Sequence, residues 1–495
     1  MPRLNLPVVM NRCHAAFCLI LFATALSGRA ATSSGLAART LTRDECVRHA
    51  LDHSLELQMQ ALQLASASAD VVAVSAVYDP ALSLGGTWDD SELPPGSFPT
   101  SGGVERGLAQ ARLERTFSRG TTLGVELDLQ RNLFEGLGPD DKPDYRTAAG
   151  LTLRQSLWRN AFGSSDRLRV DAARQRLDVA VMDYEQRRED IVAATLDLYW
   201  RAVEARQVAD TQAVVVERLR TLLATNRRYV EDGLLDESAV LAVEASLAVA
   251  EVDALTLRYQ AEQRDEELKD TIHLPSAAWD ATVILYELPP PGTPAPTPTW
   301  AETFEDALRY RADVEALRRE EQRAEALVRL NEQDDRGDLE VRGSLGRGDS
   351  DTSFGETFGF DKNLWSVGLT YATALGNSQA RAAILQALVQ RDQVRVARAK
   401  LESDLERTAR AAVRQVATAA RLVPASERAR DAQTRKLELE LARFERGQSD
   451  TKTLLDYEND RDLAERDLIR ALVARERALL ALDQVRGLLL PEAAP

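Results

Sequence analysis

Cys46, His49 and His53 fall at i, i+3 and i+7, a spacing that puts a thiol and two imidazoles near one face of a helix, where they could ligate a metal ion. Three ligands on one helix, without a second cluster to complete the set, make a poor site; an ordinary interface or surface position is the better reading. Catalysis has less still to work with. Beyond residue 30 the chain keeps only His49, His53 and His273, and it carries no nucleophile elbow, phosphate-binding glycine loop or metalloprotease helix. No enzyme activity, metal or cofactor is expected. The net charge of −16 argues against a nucleic-acid footprint, and the arginines are scattered beside acids along helical faces, a pattern of solvated or interhelical pairing. Trp200, Trp279 and Trp300 read as packing anchors rather than a ligand cage.

The elements that carry these residues begin after a leader. Arg3 and Arg12 precede an apolar run, Ala15 to Leu26, followed by small residues at Ala23, Ala25, Ser27 and Ala30; residues 1–30 therefore read as a secretory signal peptide. Its apolar core of about a dozen residues is short of the roughly 20 needed to span a bilayer, and no later stretch is expected to qualify. Cys13 and Cys18 leave with the leader, so Cys46 is the one mature thiol and no intramolecular disulfide is expected.

The remainder is written twice. Glu45 to Leu57 aligns with Glu302 to Val314, the Pro80 to Leu84 stretch with Gly337 to Val341, and Gly233-Leu-Leu-Asp236 with Gly447-Gln-Ser-Asp450. The first repeat is placed at 41–286 and the second at 300–491, joined over 287–299 by a proline-rich connector that cannot continue a helix. Aromatics at 5% and charged residues at 28% suit long helices with narrow apolar seams better than a large compact core.

Each repeat reads as helix, strands, long helix, turn and return helix. Helical composition covers 42–78. Strands follow within 81–157 and 338–375, where Leu123, Val125, Leu127 and Leu129 alternate with Gly124, Glu126 and Asp128, giving one apolar and one polar face. Strand segments of about ten residues with polar loops, such as Ser91 to Gly103 and Leu137 to Asp144, match transmembrane barrel strands. Aromatics near their ends (Trp88, Phe117, Phe134, Trp158, Phe358, Phe360, Trp365) strengthen that reading, and a soluble sheet is the alternative. Helical hairpins then fill 160–273 and 377–490. Apolar residues stepping by fours and threes from Leu177 through Leu198 to Leu223 form a coiled-coil seam, and about 65 residues make a rod of roughly 100 Å. Pro424 is expected to kink or break the second rod. Two to four strands per repeat cannot close a barrel, and an open edge in lipid leaves backbone groups unsatisfied, so closure is expected from further copies around a ring.

Five segments then carry a resemblance over essentially the whole mature chain: LTRDECVRHALDHSLELQMQ, YDPALSLGGTW, RQSLWRNAFG, RRYVEDGLLDESAVLAVEASLAVAEVDAL and RFERGQSDTKTLLDYENDRDLAERDL. In this order they resemble the TolC-like outer membrane efflux proteins. The resemblance implies an all-α dominated chain with membrane β-barrel strands: a homotrimer whose duplicated helical hairpins form an α-barrel continuous with a twelve-stranded barrel in outer-membrane lipid. It further implies docking to a periplasmic adaptor and an inner-membrane pump, for efflux or type I secretion. The turns at Gly233-Leu234 and Gly447 to Ser449 resemble the periplasmic tip where the adaptor docks. Asp456 matches a family aspartate of the pore constriction, with Asp450 and Asp236 as further candidates; a solvated helix carboxylate is the alternative for each. The family's second such aspartate is Thr453 here, and its usual prolines before the strand-to-helix junctions are Ser156 and Ala374. The first repeat also has an extra hairpin, Ala109 to Phe117 and Thr121 to Arg131, readable as an extracellular ribbon or as added barrel strands. A soluble periplasmic coiled-coil scaffold or adaptor is the competing reading.

Overall fold

The computed structural model describes residues 39–92, 103–134, 142–290, 292 and 298–490. The leader, the tips of the two strand loops and most of the proline-rich connector lie outside these residues. In chain order the elements are β1 (Arg39–Leu41), α1 (Arg43–His53), α2 (Leu55–Ser75), β2 (Ala81–Glu92), β3 (Gly103–Thr116), β4 (Thr121–Phe134), β5 (Asp144–Ser156), α3 (Ser164–Glu231), α4 (Glu237–Thr271) and β6 (Thr282–Ile284). After the connector come α5 (Trp300–Tyr310), α6 (Ala312–Asp334), β7 (Asp338–Asp351), β8 (Lys362–Ala372), α7 (Ser378–Phe444) and α8 (Thr451–Arg486).

Both halves open on the same local device. Thr42 and Thr299 each accept from the amide three residues on, while Glu45 and Glu302 reach back to the threonine amides, a reciprocal cap that satisfies two orphan donors. The stretch expected as one helix over 42–78 is broken at Ser54, whose hydroxyl instead caps α2 through the Leu57 amide at 3.2 Å.

The rods α3 and α7 run 68 and 67 residues, each about 100 Å at 1.5 Å per residue. Alongside them, shorter helices stack end to end. At the strand end the neighbours run α2, α3, α6, α7; at the far end they run α4, α3, α8, α7. Pro424 does not break α7. Its missing amide removes one ladder bond, but Val423 beside it is buried against Leu468, Ala471 and Leu472 of α8, and this packing holds the helix through the gap.

The strands form one antiparallel sheet of six, ordered β2-β3-β4-β5-β7-β8. The first repeat supplies four and the second two, where the twelve-stranded barrel that the resemblance implies would take four from each of three copies. The extra hairpin is longer than expected and is a full member of the sheet: Ala81↔Glu114 to Glu92↔Gly103 pair on one side and Thr121↔Gln155 to Asn132↔Asp144 on the other.

Between sheet and rod ends, β1 pairs in parallel with β6, and Leu41, Cys46, Tyr199, Trp200, Leu268 and Val473 form the largest buried cluster. Cys46 is wholly buried there rather than at a surface or interface, and burial pushes its thiol up to about 11. His49 turns elsewhere, bonding the Ile272 carbonyl through Nδ1 at 2.8 Å and stacking on His53. Trp200 and Trp279 pack on this core, whereas Trp300 is at the surface under the Arg410 guanidinium, 3.6 Å from its ring centroid. One feature departs from the sequence reading of the helices: Leu55–Tyr78 is long and apolar enough to cross a membrane, yet little of it is buried. Its acids pair with the adjoining rod, Asp70 with Arg176 at 2.8 Å and Glu56 with Arg187 at 3.4 Å, which sets α2 alongside α3.

Candidate functional site

Two surfaces of this fold bear on function: the sheet wall and the far tip of the hairpins. On the wall, register carries side-chain alternation across all six strands. Leu82, Leu113, Val125, Leu151, Leu345 and Trp365 lie opposite one another in sequence around the sheet, and each leaves between 47% and 76% of its surface exposed. Three residues along each strand, the opposite face carries Gly85, Gln110, Asp128, Ala148, Gly348 and Lys362 in register, with Arg112 bonded to Glu126 at 3.3 Å on the same side. An apolar face backed by a polar one is the pattern of a wall between lipid and water. Aromatics mark both rims: Trp158 stacks with Tyr371 at the helix end, and Tyr145, Phe354 and Phe358 meet at the loop end. A strand of 12 residues such as β2, tilted about 40°, rises about 30 Å, enough for a membrane core.

At the tip, Gly233 and Gly447 reverse the two hairpins with φ of 72° and 69°, the left-handed conformation that glycine adopts without a Cβ penalty. The structure brings the two turns together. Tyr229 and Phe444, four and three residues before their turn glycines, lie 6.3 Å apart in a cluster with Leu235, Leu437, Leu454 and Tyr457. Buried Asn226 donates to Thr451 at 3.1 Å, tying α3 to the start of α8.

The proposed site residues are held in different ways. Leu234 is exposed, and Asp236 sits at the N-cap of α4 without a side-chain cap bond. Ser449 donates to Glu440. Asp450 caps α8, accepting from the Thr453 amide at 2.8 Å and its hydroxyl at 3.0 Å, and these bonds hold its carboxyl below the usual range. Asp456 is exposed on α8, at the mouth of an open groove also lined by Asp253, Ser246 and Asn459.

Just above lies a constellation that sequence reasoning missed. Arg218 of α3 donates to Glu458 at 2.9 Å and to Asp462 at 2.7 Å, and Asp462 also takes Arg461 at 2.5 Å. Asp462 is buried and the Glu458 side chain nearly so. Burial raises the Glu458 carboxyl above its ordinary range, Arg218 opposing and Asp462 adding to the rise. Beside them Arg466 reaches across to buried Gln212 of α3. The cluster fastens the first hairpin to the second. Nothing in the sequence pointed from Glu458 to a residue 240 positions away.

No family model matches this chain, and no curated protein does either. Solved structures do. The outer-membrane channel OprN matches at 17% identity and a TM-score of 0.66, over 90% of this chain and 89% of its own. The Campylobacter jejuni CmeC outer membrane channel matches at 12% identity and 0.66, over 92% and 87%. CusC, a transmembrane channel, matches at 12% and 0.67, over 90% and 92%. Over about nine tenths of its length this chain has the fold of these outer-membrane channels.

Proposed function

We propose that this chain is one protomer of a homotrimeric exit duct in the outer membrane, conducting solutes passively from a periplasmic adaptor and inner-membrane pump to the exterior. The observation that carries the reading is the unbroken apolar row across six strands, backed by a polar face and continued by rods of about 100 Å. Such a row exposed to water would be an aggregation hazard; against lipid it is satisfied. The open edges β2 and β8 call for further copies.

In this duct the hairpin tips form the periplasmic gate. Leu234, on the exposed turn, and Ser449 with the two turn glycines present the surface for the adaptor. Exposed Asp456 is the first choice for a threefold carboxylate ring, which repels anions and attracts cations in a narrow pore; Asp450 and Asp236 are secondary. Energy for transport comes from the pump, and the cargo is set there.

Membrane fractionation with unheated gel electrophoresis tests the reading. An outer-membrane trimer resistant to detergent is expected; a soluble monomer would instead identify a periplasmic scaffold. In the trimer, single-channel recording of Asp456→Ala should show more frequent opening or weaker cation selectivity, and an unchanged channel would remove Asp456 from the gate.

A further inference from the structure

We infer that this duct crosses the membrane as an eighteen-stranded barrel, with a lumen as wide as the helical barrel beneath it. The inference rests on the trimeric duct proposed above and adds the construction of its wall.

The added hairpin β3–β4 is built into the wall rather than projecting from it. Its strands pair over their whole length with β2 and β5, and the apolar row and the polar row both run through it without a shift of face. Its turn lies at the strand-to-helix junction. Gly120 and Gly163 approach so closely that a Cβ on Gly163 would stand 2.5 Å from the Ser118 carbonyl. Arg167 donates to the Ser118 and Phe162 carbonyls at 2.7 and 2.6 Å, and Gln155 donates to the Arg119 carbonyl at 3.3 Å. A ribbon standing outside the cell has no reason to fasten its turn to the first residues of a rod.

The occupant of the open edges is a second copy of this chain. Six strands is an even number, so β2 runs away from the helices and β8 returns to them; β8 of one copy therefore meets β2 of the next antiparallel, as the rest of the sheet is. The helices continuing from those edges are themselves the edges of the helical layer. On α2, Leu62 and Val72 are exposed, and on α7, Leu385, Val389 and Val396. One head-to-tail contact thus covers the strand edge and both apolar helix faces together.

Perimeters agree with this closure. Three copies of four helices, spaced about 9–10 Å, make a ring of roughly 110–120 Å. Three copies of six strands, about 4.8 Å apart and tilted about 40°, make roughly 110 Å, whereas twelve strands make only roughly 75 Å. Among the described residues the duct passes from helices to strands without narrowing, which places its constriction at the hairpin tips.

Electron cryomicroscopy of the full-length trimer in a lipid nanodisc reads the wall directly. Eighteen strands in cross-section are expected. Twelve, with residues 103–134 outside the wall, would overturn the inference while leaving the duct intact; a protein that forms no trimer would defeat the duct reading and this inference with it. A second measurement uses bilayer recordings with polyethylene glycols added on the exterior side. A variant lacking residues 93–134 should admit polymers only up to a diameter smaller by about one third, since barrel diameter scales with strand number; an unchanged cut-off would also overturn the inference.

Discussion

At the α3–α4 turn, Gly233 reverses the chain, Leu234 is exposed, and Asp236 opens the next helix with no bond from its side chain. At the α7–α8 turn, Gly447 does the same work at nearly the same φ, but Ser449 is bonded back to Glu440 and Asp450 caps α8 with both oxygens. The two turns share one backbone solution and differ in how tightly side chains hold it. The second turn is also the one whose return helix carries Glu458, Asp462 and Arg466 to the first hairpin. In the proposed duct, a tip with one loose turn and one fastened turn would open by releasing the fastened side's grip on its neighbour, with the loose turn following.

The largest effect that tests this asymmetry is expected from Arg218→Ala. It leaves Asp462 buried without its partner across the hairpins and removes the Glu458 contact, at about 2–4 kcal/mol, the range for breaking a desolvated, hydrogen-bonded charge pair. In the proposed trimer, open probability in single-channel recordings should rise about tenfold or more, since 1.4 kcal/mol is already a factor of ten. Arg227→Ala, which breaks the exposed pair with Glu244 within the first hairpin, is the control, and should change opening little. Equal effects from the two would show that the hairpins are not latched to each other at this cluster.

Much of this architecture was legible beforehand, for physical reasons that also mark where reading stopped. The rods announced themselves because a seam from Leu177 to Leu223 has one period over many turns. The strand faces were legible at Leu123 to Leu129 because alternation there is strict. It failed at the outer ends of β3, β4 and β7, where Glu105, Arg106, Arg131 and Asp349 suit a rim rather than a lipid face, so the hairpin was drawn short and its place in the wall left open. The rod is not broken at Pro424 because a missing ladder bond is local while the packing of Val423 on α8 is tertiary. Cys46 was drawn outward because one helix face offers no hint of which side β1 and β6 will cover. The Arg218 cluster joins the two repeats, and no periodicity within either one encodes a contact between them.

A smaller effect, with the opposite sign, is expected from Glu458→Gln. Burial raises the Glu458 carboxyl above its unfolded value, which is about 4.3. The folded tip therefore holds the proton more tightly than the unfolded chain, and its stability falls as pH rises through that window. Glutamine removes this penalty and keeps an acceptor for Arg218. The variant's thermal dissociation midpoint at pH 7.5 should match or exceed that of the parent, and the difference should shrink as pH approaches about 4. A loss at pH 7.5 comparable to that of Arg218→Ala would place the latch on the Arg218–Glu458 pair rather than on Asp462.

The smallest effect compares the two caps. Asp450→Ala removes the acceptor of the Thr453 amide, so hydrogen exchange at the first turn of α8 should quicken several-fold, while Asp236→Ala should leave α4 unchanged because no cap bond exists to lose. The sign with pH follows from the depressed carboxyl of Asp450: its contribution is present above the unfolded value of about 3.9 and is lost as pH falls through the folded one. Asp450→Asn separates the cap from any role in the pore, since asparagine caps as well as aspartate but carries no charge. With both oxygens already committed to Thr453, the asparagine variant should keep slow exchange and the parent's ion selectivity. A change of selectivity with exchange still slow would instead put Asp450 beside Asp456 in the proposed carboxylate ring, making the fastened turn part of the pore as well as its clasp.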